Sequence, residues 1–419
     1  MTHTAHTAHT RTALVIGGGI AGPVTAMALQ RAGINAVVYE AHARTTGDAE
    51  VGSYLTVATN GLDALRAIGA DAPVLHAGFP TPTNVLLASS GRRLGAVSNG
   101  GTLPDGTTSH TIKRARLYRA LHTEAAGRGI PVQFGKRLVD AEASADGGVV
   151  ARFADGTSAT GDLLIGADGV HSATRRLLDP AAPEGRYVGL VNFGGYTHAV
   201  VAGAEPGTWY MIFGKRAFFG YALDPAGGTV WFANLPRPKV SNEERAATTT
   251  KQWRRQLIEW FADDRGPAAQ LIADGELELA ADNTHDLPRV PTWHKGPMVI
   301  IGDAAHAPSP SSGQGASMAA EDAVVLATCL RDLPDVPQAL AAYEGLRRRR
   351  VERIVAQGAR SSSAKTPGPV GRVVRDLLLP VVFKLLVTER SMAWMHQHHL
   401  DWDTPVTPAT TTALTQPLA

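Results

Sequence analysis

Residues 12–40, TALVIGGGIAGPVTAMALQRAGINAVVYE, decide how the rest of the chain is read. The run Ala13-Leu14-Val15-Ile16 is apolar and β-branched, short enough for a strand buried on both faces. Gly17-Gly18-Gly19-Ile20-Ala21-Gly22 then fits G-x-G-x-x-G. Gly17 suits the backbone angles of a tight turn, Gly19 lets a pyrophosphate approach the main chain, and Gly22 lets the next helix pack on the strand. Pro23 falls in the first helical turn, where a missing N–H costs nothing, and Gly33 is a natural stop after Val24, Met27 and Ala28. A second apolar run, Ala36-Val37-Val38-Tyr39, ends at Glu40, where a carboxylate can accept both ribose hydroxyls of an adenosine. A glycine-rich turn alone is a weak signal, but strand, turn, helix, second strand and terminal Glu together specify dinucleotide binding. Glu40 repels a 2′-phosphate, so FAD or NAD is expected here before NADP.

With 419 residues, 44% hydrophobic and 19% charged, the chain suits two or three closely associated domains around a sizeable core. A net charge of +2 offers no basic field for nucleic acid. Arg347 to Arg350, flanked by Glu344 and Glu352, reads as a solvated helix face. The single cysteine, Cys329, excludes an intrachain disulfide and follows an apolar run typical of a buried helix, so a reducing, cytoplasmic setting is expected. The first residues, MTHTAHTAHT, lack the apolar core of a signal peptide and read as disordered over 1–11. Their histidines, His3, His6 and His9, find nothing nearby to complete a metal site, and none is expected. No apolar run reaches membrane-spanning length; the closest, 377–387, is broken by Pro380 and Lys384, so no stable membrane insertion is expected.

Along the chain, loop follows Glu40 to Gly47, and a helix from Asn60 is expected to end at Gly69. Short strands with a turn at Ser90-Gly91 occupy 79–98, a helix starts near Arg114 with Leu117 and Leu121 on one face, and a hairpin-like region spans Lys136 to Asp162. Asp162 to Gly169 is another buried strand running into a glycine turn, with Ser172 and Arg175 just beyond. The stretch 185–236 is aromatic and strand-like, and Thr248 to Ala262 is helical, with Trp253, Leu257 and Trp260 or Phe261 on one face. Met298 to His306 is the third glycine-bearing strand end, continuing through Pro310 and Gly313-Gln314-Gly315 into a helix carrying Glu321 and Asp322. A long helix is expected near 343–359, with a linker marked by Ser361 to Ser363 and Pro367-Gly368-Pro369, then a helix-like stretch over 370–386.

Three strand ends thus carry glycines beside acidic residues, and together they resemble the group A FAD-dependent monooxygenases of the p-hydroxybenzoate hydroxylase fold. The first stretch matches the FAD fingerprint of that family, GADGVHSATR its DG motif, IGDAAHAPSPSSGQGAS its GD motif, and Arg114 with Leu117 an R-x-x-L element. The resemblance implies an α/β fold: a Rossmann-like FAD-binding domain, an inserted mainly antiparallel β-sheet substrate domain, and a C-terminal helical segment. The FAD domain is assigned to 12–80, 105–185 and 281–360, the substrate domain to 81–104 and 186–280, and the C-terminal segment to 361–419. The cofactor residues it implies are Gly17, Gly19, Ile20, Ala21, Gly22, Glu40, Arg44, Arg114, Asp168, Gly169, Gly302, Asp303, Pro310, Gly313, Gln314, Gly315 and Ala316.

Several of these roles have a physical reason of their own. Asp303 can accept from ribitol hydroxyls, and Gly313 and Gly315 let the backbone approach a flat ring. A helix beginning near Gln314 would point its positive end at the N1–C2=O edge, where reduced flavin carries negative charge. In the family the DG region, here Asp168 and Gly169, serves FAD and the nicotinamide donor, while Arg114 meets the pyrophosphate or ribitol side. Ala41 stands where the family often has Arg, which leaves Arg44 as the candidate adenosine contact, and Ser317 stands where many members have Asn. His306 is expected to tether its loop and not to act as an acid or base.

The substrate side is read from the aromatic strands. With Gly214-Lys215 as a two-residue turn, Tyr210 pairs with Phe219 and Thr208 with Tyr221, so Tyr210, Ile212, Phe219 and Tyr221 share one face. Trp209, Met211, Phe213 and Phe218 share the other. By resemblance the Tyr210 face is chosen to roof the flavin and bind substrate, with Tyr210 and Tyr221 as catalytic positioning residues; plain core aromatics are the competing reading. That face has no charge, which points to a neutral, bulky, apolar or aromatic substrate.

The resemblance implies an FAD-dependent enzyme that consumes NADPH or NADH and O2, and hydroxylates or epoxidises such a molecule through a flavin C4a-hydroperoxide. A monomer or homodimer is expected. The alternative is a flavoprotein with structural FAD whose pocket templates a non-redox cyclisation or only binds a ligand. A NAD-linked dehydrogenase is disfavoured because no second complete G-x-G-x-x-G fingerprint is present.

Overall fold

The computed structural model describes residues 11–44, 53–363, 378 and 389–407. The expected disorder of 1–10, Gly47 and Gly52, Pro367-Gly368-Pro369 and nearly all of the helix-like stretch 370–386 lie outside the described residues.

The quoted segment forms the strand Thr12–Ile16, the helix Ala21–Arg31 and the strand Asn35–Glu40. Thr12–Ile16 is central in a six-stranded sheet, with Leu163–Gly166 and Met298–Ile300 on one side and Asn35–Glu40 and Val132–Phe134 on the other. These five strands run parallel, and only the edge strand His294–Lys295 is antiparallel. The strands are continuous apolar runs because both faces are covered. The helices Ala21–Arg31 and Gly315–Asp332 pack against each other near this sheet, and an antiparallel sheet of Leu138–Ala143, Val149–Phe153 and Ser158–Gly161 meets it with Phe153 stacked 4.8 Å from Tyr39. All three glycine-bearing turns follow the carboxyl ends of neighbouring parallel strands, the usual ligand position in open α/β sheets.

The second unit is a seven-stranded sheet in the order Glu276–Asp286, Arg186–Thr197, Thr229–Pro236, Phe218–Leu223, Thr208–Phe213, Thr83–Ala88 and Arg93–Ser98. It is antiparallel except where Thr208–Phe213 runs parallel to Thr83–Ala88. The stretch 281–286, assigned from sequence to the cofactor domain, is part of this sheet. The strand stays paired past Ala281, whose φ of 53° marks an irregularity in the pairing with Arg186–Thr197. A small sheet of Tyr54–Val57, His110–Lys113 and Phe79–Pro80 lies against the large one.

Two further expectations need correction. Ser361 to Ser363 do not mark a linker; they finish the helix Val336–Ser363. The arginine run is not one solvated face, because Arg347 is 1% exposed and Arg350 is paired. Arginine four residues from Glu has the pattern of a surface helix, and the sequence does not show that Glu321 and Asp322 sit buried opposite it. Cys329 is buried in the helix Gly315–Asp332, and burial pushes its thiol up to about 12. Among the described residues no helix is long and apolar enough to cross a membrane, and no group of three His, Cys, Asp or Glu side chains could hold a metal ion.

Candidate active site

The dinucleotide turn is built by exclusion. Gly17 has φ +107°, and a Cβ there would lie 2.4 Å from the Ala167 carbonyl oxygen, so glycine lets two strand ends meet. A Cβ on Gly22 would lie 1.9 Å from the Gly17 oxygen, which is the helix-on-strand contact expected of the third glycine. Gly19 is different: its nearest neighbour would be the Tyr118 hydroxyl at 3.9 Å, leaving open space in front of the backbone. The helix Ala21–Arg31 starts at Ile20 without a side-chain cap, so its first N–H groups, Ala21 and Gly22 among them, face this space without a protein partner from a cap. Glu40 closes the far end, accepting from Gly18 N–H at 2.6 Å and His42 N–H at 2.8 Å. Arg44 is exposed at the end of a described stretch.

Opposite this turn runs one face of the helix Arg114–Gly127. Arg114 Nε donates to the Tyr118 hydroxyl at 2.8 Å, and one turn on, the His122 ring nitrogen Nε2 lies 2.6 Å from the Gly18 carbonyl oxygen. The reading of the sequence missed Tyr118 and His122, although their spacing of four and eight from Arg114 was the available signal. Arg114 reaches solvent but sits deep in the groove; burial disfavours its charge, yet Tyr118, Asp303 and Asp282 more than offset this and its pKa is raised.

Asp303 lies across from Arg114 in a 3-10 turn over Gly302–Ala304. Its carboxylate is open to the groove and makes no protein hydrogen bond among the described residues; the protein packed around it nonetheless raises its pKa by desolvation, against the opposing pull of His306 and Arg114. Gly302, with φ +55°, donates its N–H to Asp322 at 2.8 Å, and His306 bonds the same oxygen at 2.6 Å. His306 is 2% exposed, so it tethers the loop as expected. Pro310 opens a 3-10 turn, Gly313 takes φ +63°, and the helix Gly315–Asp332 starts after Gln314 with no side-chain cap. Gly315 and the half-buried Ala316 stand in its first turn, and Asp303 Oδ1 would lie 3.9 Å from a Gly315 Cβ. A carboxylate lacking a partner, an accessible arginine and two uncapped helix starts line one groove, a donor set that fits the ribitol and pyrophosphate of FAD.

Asp168 is engaged elsewhere. Its Oδ1 accepts from the Ser172 hydroxyl at 2.5 Å and its Oδ2 from Thr174 N–H at 2.9 Å and hydroxyl at 3.0 Å. It shapes the turn, with Gly169 at φ +75° in open space, and Arg175 ties that turn to the Asp303 loop by donating to Val170 and Ala304 carbonyls.

Beneath both loops is a buried charge network that sequence reasoning did not assemble. Arg347 Nη1 bonds Glu321 at 2.5 Å and its Nε bonds Asp322 at 2.7 Å, while Arg350 Nη2 reaches Glu321 at 2.7 Å. Burial alone would raise both acids, but Arg347 and Arg350 hold Glu321, and His306 and Arg347 hold Asp322, each at about 2.

The substrate sheet corrects the expected face. The turn is longer than two residues, so Tyr210 pairs with Tyr221 and Ile212 with Phe219, a register two residues from the expected one. A shift of two preserves which residues share a face. That face, however, packs on the helix Thr250–Phe261: Ile212, Phe219 and Tyr221 are buried with Trp253, Leu257 and Phe261. Tyr210 stacks on Tyr221 at 4.9 Å and its hydroxyl accepts from Glu205 N–H at 2.9 Å, while burial pushes Tyr221 up to about 12. Tyr210, Ile212, Phe219 and Tyr221 therefore form the helix-side core. The opposite face turns toward the cofactor side, where Trp209, Met211, Ala222, Val230 and Phe232 pack with Tyr54 and Phe79. Trp209 Nε1 donates to Thr111 Oγ1 at 2.7 Å, and Lys113 pairs with Glu278 at 2.6 Å.

Comparison with known proteins agrees with this groove. Residues 10–358 match the family described as FAD binding domain. The chain belongs to this family of group A FAD-dependent aromatic hydroxylases. It is 33% identical over 350 residues to aurachin C monooxygenase/isomerase of Stigmatella aurantiaca, covering 82% of this chain and 87% of that one. It is 34% identical over 348 residues to an FAD-dependent urate hydroxylase of Klebsiella pneumoniae, with the same coverage. The structure of Klebsiella pneumoniae HpxO with FAD and uric acid superimposes with a TM-score of 0.80 at 29% identity, covering 92% of this chain and 97% of that one. The protein is an FAD-dependent monooxygenase, with NAD(P)H the electron donor typical of its family.

Proposed function

We propose that this monooxygenase oxygenates a flat, largely apolar aromatic or heteroaromatic small molecule, and that the molecule lies between the flavin and the Trp209-Met211-Phe232 face of the large sheet. One observation carries the reading: this face, and not the Tyr210 face, is turned to the cofactor side and keeps Met211, Phe213 and Phe232 only half-buried. Rings and a thioether offer stacking and soft contact to a planar substrate. Asn234 donates to Asn192 at 2.7 Å at the same level of the sheet, a polar pair suited to orienting a ring heteroatom or carbonyl. The exposed carboxylate of Asp282, paired in register with Asn192, disfavours an anionic substrate.

Gly19, Ala21 and Gly22 would hold the pyrophosphate with Arg114, Glu40 the adenosine ribose, and Asp303 the ribitol. Ile20, Arg44, Asp168, Gly169, Gly302, Pro310, Gly313, Gln314 and Ala316 would complete the cofactor site, Asp168 and Gly302 by shaping the backbone. Bound FAD supplies electron transfer and dioxygen activation. The chain's own part is to place the ring against the Gly315 helix start, whose dipole favours negative charge there, and to keep water from the reacting face with Trp209, Phe232 and Tyr54.

The test is a panel of neutral bicyclic and tricyclic heteroaromatics scored for stimulated NAD(P)H oxidation, with product oxygen traced from labelled O2. One label per NAD(P)H consumed is expected for a true substrate. Product carrying oxygen from water, or turnover without any NAD(P)H, would overturn the reading.

A further inference from the structure

The far end of the chain reaches the cofactor groove. In the helix Glu389–His396, the carbonyls of Trp394 and Met395 accept from Arg350 at 2.6 and 2.8 Å, and the His396 carbonyl accepts from Thr59 at 2.7 Å. Asp63 accepts from Leu400 N–H at 2.9 Å and bonds His399 at 2.9 Å. Trp402 lies against the guanidinium groups of Arg31 and Arg331, 4.8 and 5.1 Å from its ring. These contacts pin 389–407 to the cofactor-binding half.

A directed chain of side-chain hydrogen bonds leads inward from there. Gln314 Nε2 donates to His396 Nδ1 at 3.1 Å; Gln314 Oε1 accepts from Asn60 Nδ2 at 2.9 Å, and the same amide donates to Glu321 at 2.6 Å. Gln314 and Asn60 are fully buried. Burial and Arg350 hold His396 down at about 4, so the ring is neutral and its Nδ1 is an acceptor. Gln314 also stands at the hinge of the turn: its N–H donates to Ser312 at 3.2 Å, and its carbonyl accepts the first helical bond, from Met318, at 2.8 Å. The preceding Gly313 is left-handed and closes the 3-10 turn with its N–H on the Pro310 carbonyl at 3.0 Å, so the backbone pairing changes direction at Gln314 before the helix begins.

We propose that His396 is a positioning residue for the flavin: through the Gln314 amide it sets the direction in which the first N–H groups of the helix Gly315–Asp332 point. The inference rests on FAD lying at that helix start, as proposed above. A helix N-terminus stabilises a nearby negative charge only over about one turn, so a tilt of the first peptides weakens its preference for reduced, anionic flavin.

The test uses full-length holoenzyme and three variants, His396→Ala, His396→Gln and His396→Asn. Asn places an oxygen acceptor where Nδ1 stands, whereas Gln carries it one bond further out. The readouts are the flavin midpoint potential and the affinity of the apoprotein for FAD by fluorescence quenching. In the Ala and Gln variants the preference for reduced flavin is expected to fall roughly three- to tenfold, a shift of about 15–30 mV for a two-electron couple. The Asn variant is expected to restore the wild-type value, and FAD affinity to follow the same order. Wild-type potentials in both Ala and Gln variants, or an Asn variant that falls with them, would overturn the role of His396. If the Ala variant does not fold, the Asn and Gln pair makes the same decision. Wild-type protein that binds no FAD would instead remove the reading underneath, a distinguishable result.

Discussion

The dinucleotide turn and the aromatic sheet carry sequence signals of similar clarity, yet only the turn reveals where it points. In the turn, glycine is required by backbone contacts: a Cβ at Gly22 meets an oxygen at 1.9 Å, so the motif implies its own packing partner. In the sheet, alternation fixes which side chains travel together, but both faces are equally aromatic. What decides between them is the helix Thr250–Phe261, whose Trp253, Leu257 and Phe261 stripe claims the Tyr210 side. A motif that excludes atoms localises a site; a pattern that only groups residues leaves its orientation to tertiary packing.

The largest effect that would sharpen this contrast lies in the turn itself. Gly22→Ala is expected to abolish folded protein, because neither the strand nor the helix can move 1–2 Å without losing its partners, whereas Gly19→Ala is expected to melt like wild type and lose at least about tenfold in FAD affinity. Thermal melts of the apoproteins, followed by FAD titration, check both; equal behaviour would break the distinction between packing glycine and approach glycine.

Next is the buried network under the Asp303 loop. Arg347→Met leaves Glu321 and Asp322 in the interior with one cation fewer, and a loss of about 3–5 kcal/mol in chemical denaturation is expected. The two acids also set the acid limit of the fold. Their folded values of about 2 lie below the ordinary unfolded ones of about 4, so their stabilisation is complete above pH of about 4.5 and is lost as pH falls toward about 2. An unfolding midpoint measured across that window should drop with falling pH in wild type and more weakly in Arg347→Met.

On the sheet, the two faces should separate in kind. Phe261→Ala is expected to cost about 3–5 kcal/mol of stability with KM unchanged in the folded fraction, since it removes a ring packed on Phe219. Phe232→Ala, half-buried on the other face, is expected to raise KM about tenfold or to uncouple NAD(P)H consumption from product, with a smaller change in melting temperature. Smallest of all is Tyr210→Phe, which removes one acceptor for Glu205 N–H: about 1 kcal/mol or less, with coupling intact.

Most of the cofactor half was readable in the chain because its signals are local. Strand, turn and helix between Thr12 and Glu40 fell where spacing put them, and the helix of the third glycine-bearing strand end began after Gln314. Three features were not legible, the first because a bond inside its own turn competes for a motif carboxylate, the other two because each joins distant positions. Asp168 looked like a ligand until Thr174 and Ser172 were seen to occupy its oxygens. Arg347 looked solvated because helical spacing places its charge beside Glu344 and Arg348, and says nothing of Glu321, 26 residues away. His396 lies 82 residues from Gln314, and no periodicity connects them.

The central claim is that substrate meets the flavin from the Met211-Phe232 side of the sheet. It is tested most directly by comparing kcat/KM for oxygen incorporation from labelled O2 in Phe232→Ala and Tyr210→Phe, using whichever heteroaromatic couples in wild type. The account predicts a loss of about tenfold or more in Phe232→Ala and a change of less than about twofold in Tyr210→Phe, equivalent to more than about 1.4 kcal/mol against less than about 0.4 kcal/mol. The reverse order, with Tyr210→Phe impaired and Phe232→Ala unaffected, would contradict it.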